Sequence, residues 1–160
     1  MSGTAVVETR SAESDAGAAP VNRMAVALLS VVGVFISAYL LLHKLGVVGT
    51  LVCGTGSCET VQASPWAVFL GVPVPAWGVV GYGALLAVSL VGVRPGFWGS
   101  RRLGWVLVVL GAAAFGFSAY LTAIEAFVIR AWCRWCVASA VVATLIFVFS
   151  LGEWVRFRSR

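Results

Sequence analysis

Two cysteines separated by two residues, Cys133 and Cys136, stand just before an apolar run that extends from Val137 to Leu151. A Cys-x-x-Cys pair is compatible with thiol–disulfide exchange, with half of a metal site, or with two inert apolar side chains. A second pair, Cys53 and Cys58, lies earlier in the chain with a Gly-rich spacer between its members. The chemistry open to these thiols depends on the compartment that they face.

The composition indicates that lipid surrounds most of the chain. Hydrophobic residues make up 61% of the 160 residues and charged residues only 11%, whereas a soluble domain is roughly half apolar and about a quarter charged. The formal net charge of +5 does not indicate nucleic-acid binding. The basic residues fall in short clusters between apolar runs, which is the pattern that encodes membrane topology.

Four apolar runs are long enough to cross a bilayer. They cover residues 24–42, 74–93, 103–129 and 132 to about 154. Residues 64–72 are too short to span, and we expect them to lie along the membrane surface as a short interfacial helix or to dip into it as a lid.

The predicted fold is an all-α integral membrane protein, a four-transmembrane-helix bundle with a cysteine-containing extracytoplasmic loop. Residues 1–22 are polar, small and mixed in charge, which is typical of a disordered tail. Residues 23–154 form the predicted membrane domain, and residues 155–160 form a short basic tail.

The distribution of Lys and Arg predicts the orientation. With the N-terminus inside, eight basic residues lie on the inner side and three on the outer side. The inner residues are Arg10, Arg23, Arg94, Arg101, Arg102, Arg156, Arg158 and Arg160, and the outer ones are Lys44, Arg130 and Arg134. Because basic residues concentrate on the cytoplasmic side, we expect a multi-pass protein of the plasma or inner membrane with both termini cytoplasmic and all four cysteines extracytoplasmic.

An extracytoplasmic location favours disulfide chemistry, because disulfides form and persist there. Gly54 and Gly56 predict a mobile, exposed first pair. Cys133 and Cys136 open a helix, where its N-terminus and Arg134 favour thiolates. Two structural disulfides or a four-thiolate zinc site remain alternatives, but we favour a redox relay without metal.

The order of these pieces resembles the vitamin K epoxide reductase family, in its bacterial disulfide-forming branch. A first span is followed by a loop with the pair CGTGSC, then by Ser64 in CETVQASPWAVFLGVPVPAWG, and WCRWC opens the fourth span. The similarity covers nearly all of residues 24–152. In the other quinone-linked disulfide-forming family of bacteria, the Cys-x-x-Cys belongs to the first outer loop.

The resemblance implies a role for each site residue. Cys136 faces the quinone, and Cys133 is its partner in the resting disulfide and exchanges with the loop. Cys58 is the inner shuttle thiol, and Cys53 meets an external thioredoxin-fold partner. Ser64 hydrogen-bonds near a quinone carbonyl.

Departures from the animal members concern the substrate. Those enzymes have a tyrosine four residues after the last cysteine, where this chain has Ala140, and an asparagine near the start of the second span, where Val74 aligns. An apolar pocket suits a plain quinone better than an epoxide. Many bacterial members also carry a fused thioredoxin-like domain; this chain ends at Arg160, so we expect its partner to act in trans.

Two further residues bear on the site. Trp77 lies at the start of the second span beneath the expected lid, and we expect it to contact a quinone ring. Glu125 lies inside an apolar run, and we expect it to pair with Arg130, five residues later, in a structural role.

The resulting hypothesis is a membrane enzyme that reoxidises a DsbA-like thioredoxin-fold protein and passes the electrons to a quinone of the menaquinone or ubiquinone type in the membrane pool. A non-catalytic membrane protein held by two disulfides, and a quinone or epoxide reductase of vitamin K metabolism, are the alternatives.

Overall fold

The computed structural model describes residues 21–51, 53, 57–97 and 99–158. Most of the expected N-terminal tail, and the spacer glycines Gly54 and Gly56 on which the predicted mobility of the first cysteine pair depends, lie outside the described residues. The first helix begins at Val21, so the last two residues assigned to the tail are helical.

Four long helices dominate the structure, and each is long and apolar enough to cross a membrane. They are α1 (Val21–Lys44), α3 (Val74–Val93), α4 (Arg101–Ile124) and α5 (Arg134–Arg158). The four predicted spans are therefore confirmed, and α3 has the predicted bounds. The third predicted span ends in a π-helical segment, Glu125–Ile129, which continues α4.

Helix α1 packs along both α3 and α5, and α4 packs on α5. The contact between α1 and α3 needs a residue without a side chain, because a Cβ atom on Gly33 would lie 2.4 Å from the Tyr82 ring. Tyr82 thereby reaches across the bundle, and its hydroxyl donates to the carbonyl oxygen of Ser139 on α5 at 2.8 Å.

A buried arginine joins the ends of the helices at the side of the bundle where the chain enters α1. The Nε atom of Arg23 lies 2.6 Å from a carboxylate oxygen of Glu153 on α5. The same guanidinium group donates to the carbonyl oxygens of Gly92 at 2.9 Å, Phe97 at 2.8 Å and Ser100 at 3.2 Å. One side chain thus ties α1 to α3, to the connection before α4, and to α5.

The segment between α1 and α3 lies at the opposite end of the bundle. It contains the short helix α2 (Ser57–Ala63), a 3₁₀ turn (Pro65–Ala67) and a hairpin of two short strands, β1 (Val68–Phe69) and β2 (Val72–Pro73). Leu70 and Gly71 both have positive φ, 53° and 79°, which is the backbone of a type I′ hairpin turn. The prediction of a short helix over residues 64–72 is wrong: that segment forms the 3₁₀ turn and the hairpin, and the short helix α2 precedes it.

Candidate functional site

The second cysteine pair is positioned by the start of α5. Cys133 directly precedes the helix, and its carbonyl oxygen accepts the Val137 amide at 2.9 Å. Its sulfur accepts a hydrogen bond from the Cys136 amide at 3.4 Å, in the manner of a side chain that caps a helix N-terminus. Cys133 is fully buried and Cys136 is partly buried, and both are thiols. The disulfide implied between them is therefore open in this state of the protein.

The geometry at the helix start gives Cys133 a nucleophilic character. The hydrogen bond from the Cys136 thiol lowers the pKa of the Cys133 thiol, and the backbone amides of Cys136 and Trp135 add to the lowering. Burial and the negative charge of Glu125 oppose it. The helix N-terminus contributes as expected, whereas the Arg134 side chain points to the exterior of the bundle as an exposed residue.

The first cysteine pair is a disulfide between Cys53 and Cys58, whose Cα atoms lie 6.1 Å apart. The prediction that this pair is exposed is wrong: Cys53 retains 3% of its surface and Cys58 none. The physical reason is the packing of α2, which begins at Ser57 and turns Cys58 and Val61 into the core. Lys44 fixes the far end of α2 by donating from its ammonium group to the carbonyl oxygen of Gln62.

Both cysteine pairs belong to the hydrophobic core of the bundle. Cys53, Cys58 and Cys133 belong to the same buried apolar cluster, and Cys136 packs against its edge. Leu40, Leu51 and Val61 share this cluster. The bundle therefore holds a disulfide and a dithiol within a single packed unit, with Cys136 at the boundary.

A cavity begins at that boundary. Cys136, Trp77, Tyr82 and Glu125 are among its lining residues, together with Phe117 and the amide of Gln62. The lining is mostly apolar. Phe69 of the hairpin is in edge-on contact with both aromatic walls, at 6.3 Å from Trp77 and 5.6 Å from Phe117 between ring centres. The indole nitrogen of Trp77 also donates to the Phe69 carbonyl oxygen at 3.2 Å, so the hairpin is fixed to the cavity wall.

The structure brings some of the predicted site residues to this cavity and separates others from it. Trp77 lines it together with Cys136. Ser64 lines a smaller neighbouring cavity, which also includes Cys136, and its hydroxyl donates to the Val61 carbonyl oxygen at 2.7 Å. Ala140 lines a different groove, between α4 and α5.

The expected pairing of Glu125 with Arg130 is wrong. One carboxylate oxygen of Glu125 accepts the backbone amide of Cys133 at 3.1 Å, and Glu125 lines the same cavities as Cys136. The π-helical segment ends at Arg130 in a left-handed conformation, φ 55° and ψ 34°. This reversal returns the chain to Glu125 and leaves the Arg130 side chain exposed.

Three cavity residues were missed as site candidates. Gln62 is 5% exposed, and its amide nitrogen lies 4.0 Å from the Cys136 sulfur. Its Oε1 atom has no hydrogen-bond partner among the described residues. The hydroxyl groups of Tyr82 and Ser139, which also line the cavity, lie 2.8 Å apart. In the sequence, these three residues are recognisable only as polar side chains in apolar segments. That pattern does not show whether a side chain faces the cavity, another helix or the lipid.

Among the described residues, no group of three or more histidine, cysteine or acidic side chains is close enough to hold a metal ion. A four-thiolate site also needs four deprotonated cysteines, whereas two of these sulfurs are bonded to each other.

Four membrane-length helices around a disulfide and a dithiol, with an apolar cavity next to one thiol, define a membrane thiol–disulfide oxidoreductase. The model of the vitamin K epoxide reductase family matches residues 24–151, and the chain belongs to this family. Family membership makes the protein a multi-pass membrane oxidoreductase that couples thiols to a quinone and works with thioredoxin-like partners.

Proposed function

We propose that the protein works in the disulfide-forming direction, oxidising a DsbA-like thioredoxin-fold protein and reducing a quinone of the menaquinone or ubiquinone type. Electrons pass from the partner to Cys53–Cys58, then to Cys133–Cys136, then to the quinone. The observation that carries the proposal is that α2, which contains Cys58, approaches Cys136 through Gln62, whose amide nitrogen lies 4.0 Å from the Cys136 sulfur, while Cys136 is the cysteine that lines the cavity.

The cavity is chemically suited to a quinone ring. Its walls are mostly apolar and aromatic, and its polar groups include the Gln62 amide, 4.0 Å from the Cys136 sulfur, and the Tyr82 hydroxyl, which bonds to Ser139. Ligand sites of this kind use apolar walls for binding and a small number of polar groups for orientation. When bound, the quinone supplies a two-electron acceptor. Trp77 is the proposed ring contact, and Ser64 supports the wall from the neighbouring cavity.

Each exchange step conserves electrons and sulfur bonds. The reduced partner cleaves Cys53–Cys58 and keeps a disulfide of its own. Cys58, now a thiol, and Cys53 are reoxidised as the loop pair passes two electrons to a Cys133–Cys136 disulfide. The resulting dithiol is the form that the structure holds, and it returns to the disulfide by giving two electrons to the quinone. The lowered pKa of Cys133 suits the thiol that exchanges with Cys58.

The direction follows from redox potentials. A strongly oxidising DsbA-type protein has a potential of about −120 mV, so it needs an acceptor of higher potential, and a quinone pool provides one. The proposed orientation places the thiol end of the bundle outside the cytoplasm and both termini inside it, which brings the loop pair to the side where such partners occur.

The apolar character of the cavity argues for a quinone rather than an epoxide. Val74, aligned with the asparagine of the animal enzymes, lines the cavity and offers it no hydrogen bond. Ala140 faces the other groove and also lacks the hydroxyl group found in those enzymes. Cys58 is as completely buried as a cysteine in a structural disulfide usually is. The experiment therefore has to distinguish redox-active cysteine pairs from two purely structural ones.

Trapping a mixed disulfide between the two cysteine pairs distinguishes a redox relay from two structural disulfides. In a Cys136→Ser protein, Cys133 has no neighbouring thiol to displace it, so it attacks Cys58 and accumulates as a Cys58–Cys133 disulfide with Cys53 released as a thiol. Proteolysis and mass spectrometry identify the linkage. A Cys53–Cys133 bond reverses the assignment of entry and shuttle thiols, and an intact Cys53–Cys58 bond with a free Cys133 supports two static pairs.

The partner side is tested with Cys58→Ala. The free Cys53 thiol attacks the disulfide of an oxidised thioredoxin-fold protein and forms a mixed disulfide, while the second cysteine of that protein leaves as a thiol. A heavier, reductant-sensitive adduct is therefore expected. Purified wild-type protein should also reduce an added quinone when it receives a reduced thioredoxin-fold protein. Absence of quinone reduction in that assay contradicts the proposed function.

A further inference from the structure

A buried carboxyl group, that of Glu125, lies at the backbone of Cys133 and lines the cavity that Cys136 also lines. Glu125 is 4% exposed. Within the described part of the chain, the ion pair present joins Arg23 to Glu153, so no arginine or lysine there forms an ion pair with Glu125. A buried charge is normally paired, and a carboxyl group that is not paired marks a place where protonation changes.

The contacts of Glu125 connect three parts of the site. Its Oε2 atom accepts the Cys133 amide at 3.1 Å, and Glu125 lines both cavities that Cys136 also lines. Among the described residues, the other titratable side chains on this cavity are Cys136 and Tyr82 on α3, and α2 contributes the neutral amide of Gln62. Cys133 adjoins the carboxylate through its backbone amide.

We propose that Glu125 is the proton carrier between the Cys133–Cys136 dithiol and the quinone; this inference rests on the proposed function. The oxidation breaks two S–H bonds and forms one S–S bond, and two O–H bonds form on the quinone as it takes two electrons. The carboxylate accepts the proton of Cys136, hands it to a quinone oxygen, and is then free to take the second proton, which comes from Cys133.

Electrostatics favours this route over the release of protons into water. Creating an additional charge in a desolvated site is costly. A proton that moves from sulfur to the adjacent carboxylate leaves the net charge of the site unchanged, because a thiolate replaces a carboxylate. Without Glu125, each thiol has to lose its proton to hydroxide from outside the cluster.

A purely structural role predicts something different. The carboxylate closes the turn between the π-helical segment and α5 by accepting the Cys133 amide, and an amide oxygen would serve that purpose equally well. Glu125→Gln preserves the size and the acceptor but removes the exchangeable acid, so it separates the two roles.

The first measurement is quinone reduction with a small dithiol, such as dithiothreitol, that bypasses the partner and the loop pair. Loss of a proton-transferring group typically costs about 10²-fold or more, so we expect Glu125→Gln to be slower by about 10²-fold at neutral pH. Glu125→Asp retains an acid group and should recover part of the rate. A rate of Glu125→Gln within threefold of wild type overturns the inference.

The second measurement needs no quinone. In Cys133→Ala protein, alkylation of Cys136 by iodoacetamide reports its thiolate. With Glu125 present, the internal proton transfer supplies thiolate independently of hydroxide, so the rate should change little between acidic and neutral pH. With Glu125→Gln added, the rate should rise about tenfold for each pH unit, because thiolate then forms only by loss of the proton to solvent.

Glu153→Gln is the matched control, because it alters the other buried glutamate far from the thiols. It should leave the pH profile of alkylation unchanged. Identical pH profiles with and without Glu125 overturn the inference even if quinone reduction is lost. If the wild-type protein reduces no quinone while the profiles differ, the proposed function fails and the proton exchange between Glu125 and Cys136 stands.

Discussion

Each end of the bundle buries a glutamate, but the two glutamates differ in their partners. Glu153 lies 2.6 Å from the guanidinium group of Arg23, which also donates to three backbone carbonyl oxygens. Glu125 accepts one backbone amide and lines the cavity that Cys136 also lines. Paired with a cation, a carboxylate keeps its charge and holds helices together. Beside thiols and a cavity, the same group is able to exchange a proton.

The largest loss of activity should come from replacing Cys136, the thiol that lines the cavity at the Glu125 end of the bundle. Cys136→Ser should lower quinone reduction with a small dithiol to background, a loss of roughly 10³-fold or more, because the group in contact with the acceptor is gone. Cys58→Ser is the control and should retain this reaction, since a small dithiol reduces Cys133–Cys136 directly. Retained quinone reduction by Cys136→Ser would show that another residue faces the quinone.

The next effect should come from breaking the ion pair at the other end. Arg23→Ala leaves Glu153 buried without its cation and three carbonyl oxygens without a donor. Removing one partner of a buried pair costs about 3–5 kcal/mol, which should be visible as a lower unfolding midpoint in a denaturing-detergent titration. Arg23→Met combined with Glu153→Leu should recover much of the loss. A change below about 1 kcal/mol in Arg23→Ala would contradict the proposed holding role.

A smaller loss of stability is expected at the contact between α1 and α3. Gly33→Ala places a methyl group against the Tyr82 ring, and overpacking of this kind costs about 1–3 kcal/mol. The displaced Tyr82 should also weaken quinone binding, measured as a higher KM. Gly83→Ala on α3 is the matched control, because a Cβ atom there meets no atom within 4 Å, and it should be neutral or slightly stabilising. Equal effects of the two substitutions would count against the close contact.

The smallest effect should come from Ser64. Ser64→Ala removes a hydrogen bond to the Val61 carbonyl oxygen, which is worth about 0.5–1.5 kcal/mol. Since Ser64 supports the cavity wall from the neighbouring cavity, we expect only a several-fold rise in the quinone KM and an unchanged kcat. A loss of kcat would assign Ser64 a place in the chemistry.

Much of the fold could be predicted because lipid imposes it. A run of about twenty apolar residues has to be helical across a bilayer, and α3 therefore matches the predicted residues 74–93. The hairpin at Val68–Pro73 could not be predicted in the same way. Its apolar residues are as compatible with an interfacial helix, and its strands depend on the positive φ angles of Leu70 and Gly71.

Part of the candidate site could also be predicted from the sequence, and part could not. The cysteines stand out by type and spacing, because thiols in pairs are rare and have distinctive chemistry. Trp77 is singled out by its position at the start of the second span, and it lines the cavity. The burial of Cys58 depends on how α2 packs onto the bundle, which no local pattern encodes. Glu125 was noticed but given the wrong partner. Its sequence neighbour Arg130 is close along the chain, whereas the π-helical segment and the left-handed residue after it bring Cys133, eight positions away, to the carboxylate.

The length of α4 also indicates how deep Glu125 lies in the membrane. Its 24 residues rise about 36 Å along the helix axis, more than the roughly 30 Å of a hydrocarbon core. If the arginines that open α4 rest at one surface, the segment beginning at Glu125 has already passed the acyl chains and lies among the head groups of the other leaflet. The carboxylate therefore borders on water, although protein covers it. A quinone that stays in the oily layer and a proton that comes from the aqueous one would meet at this boundary.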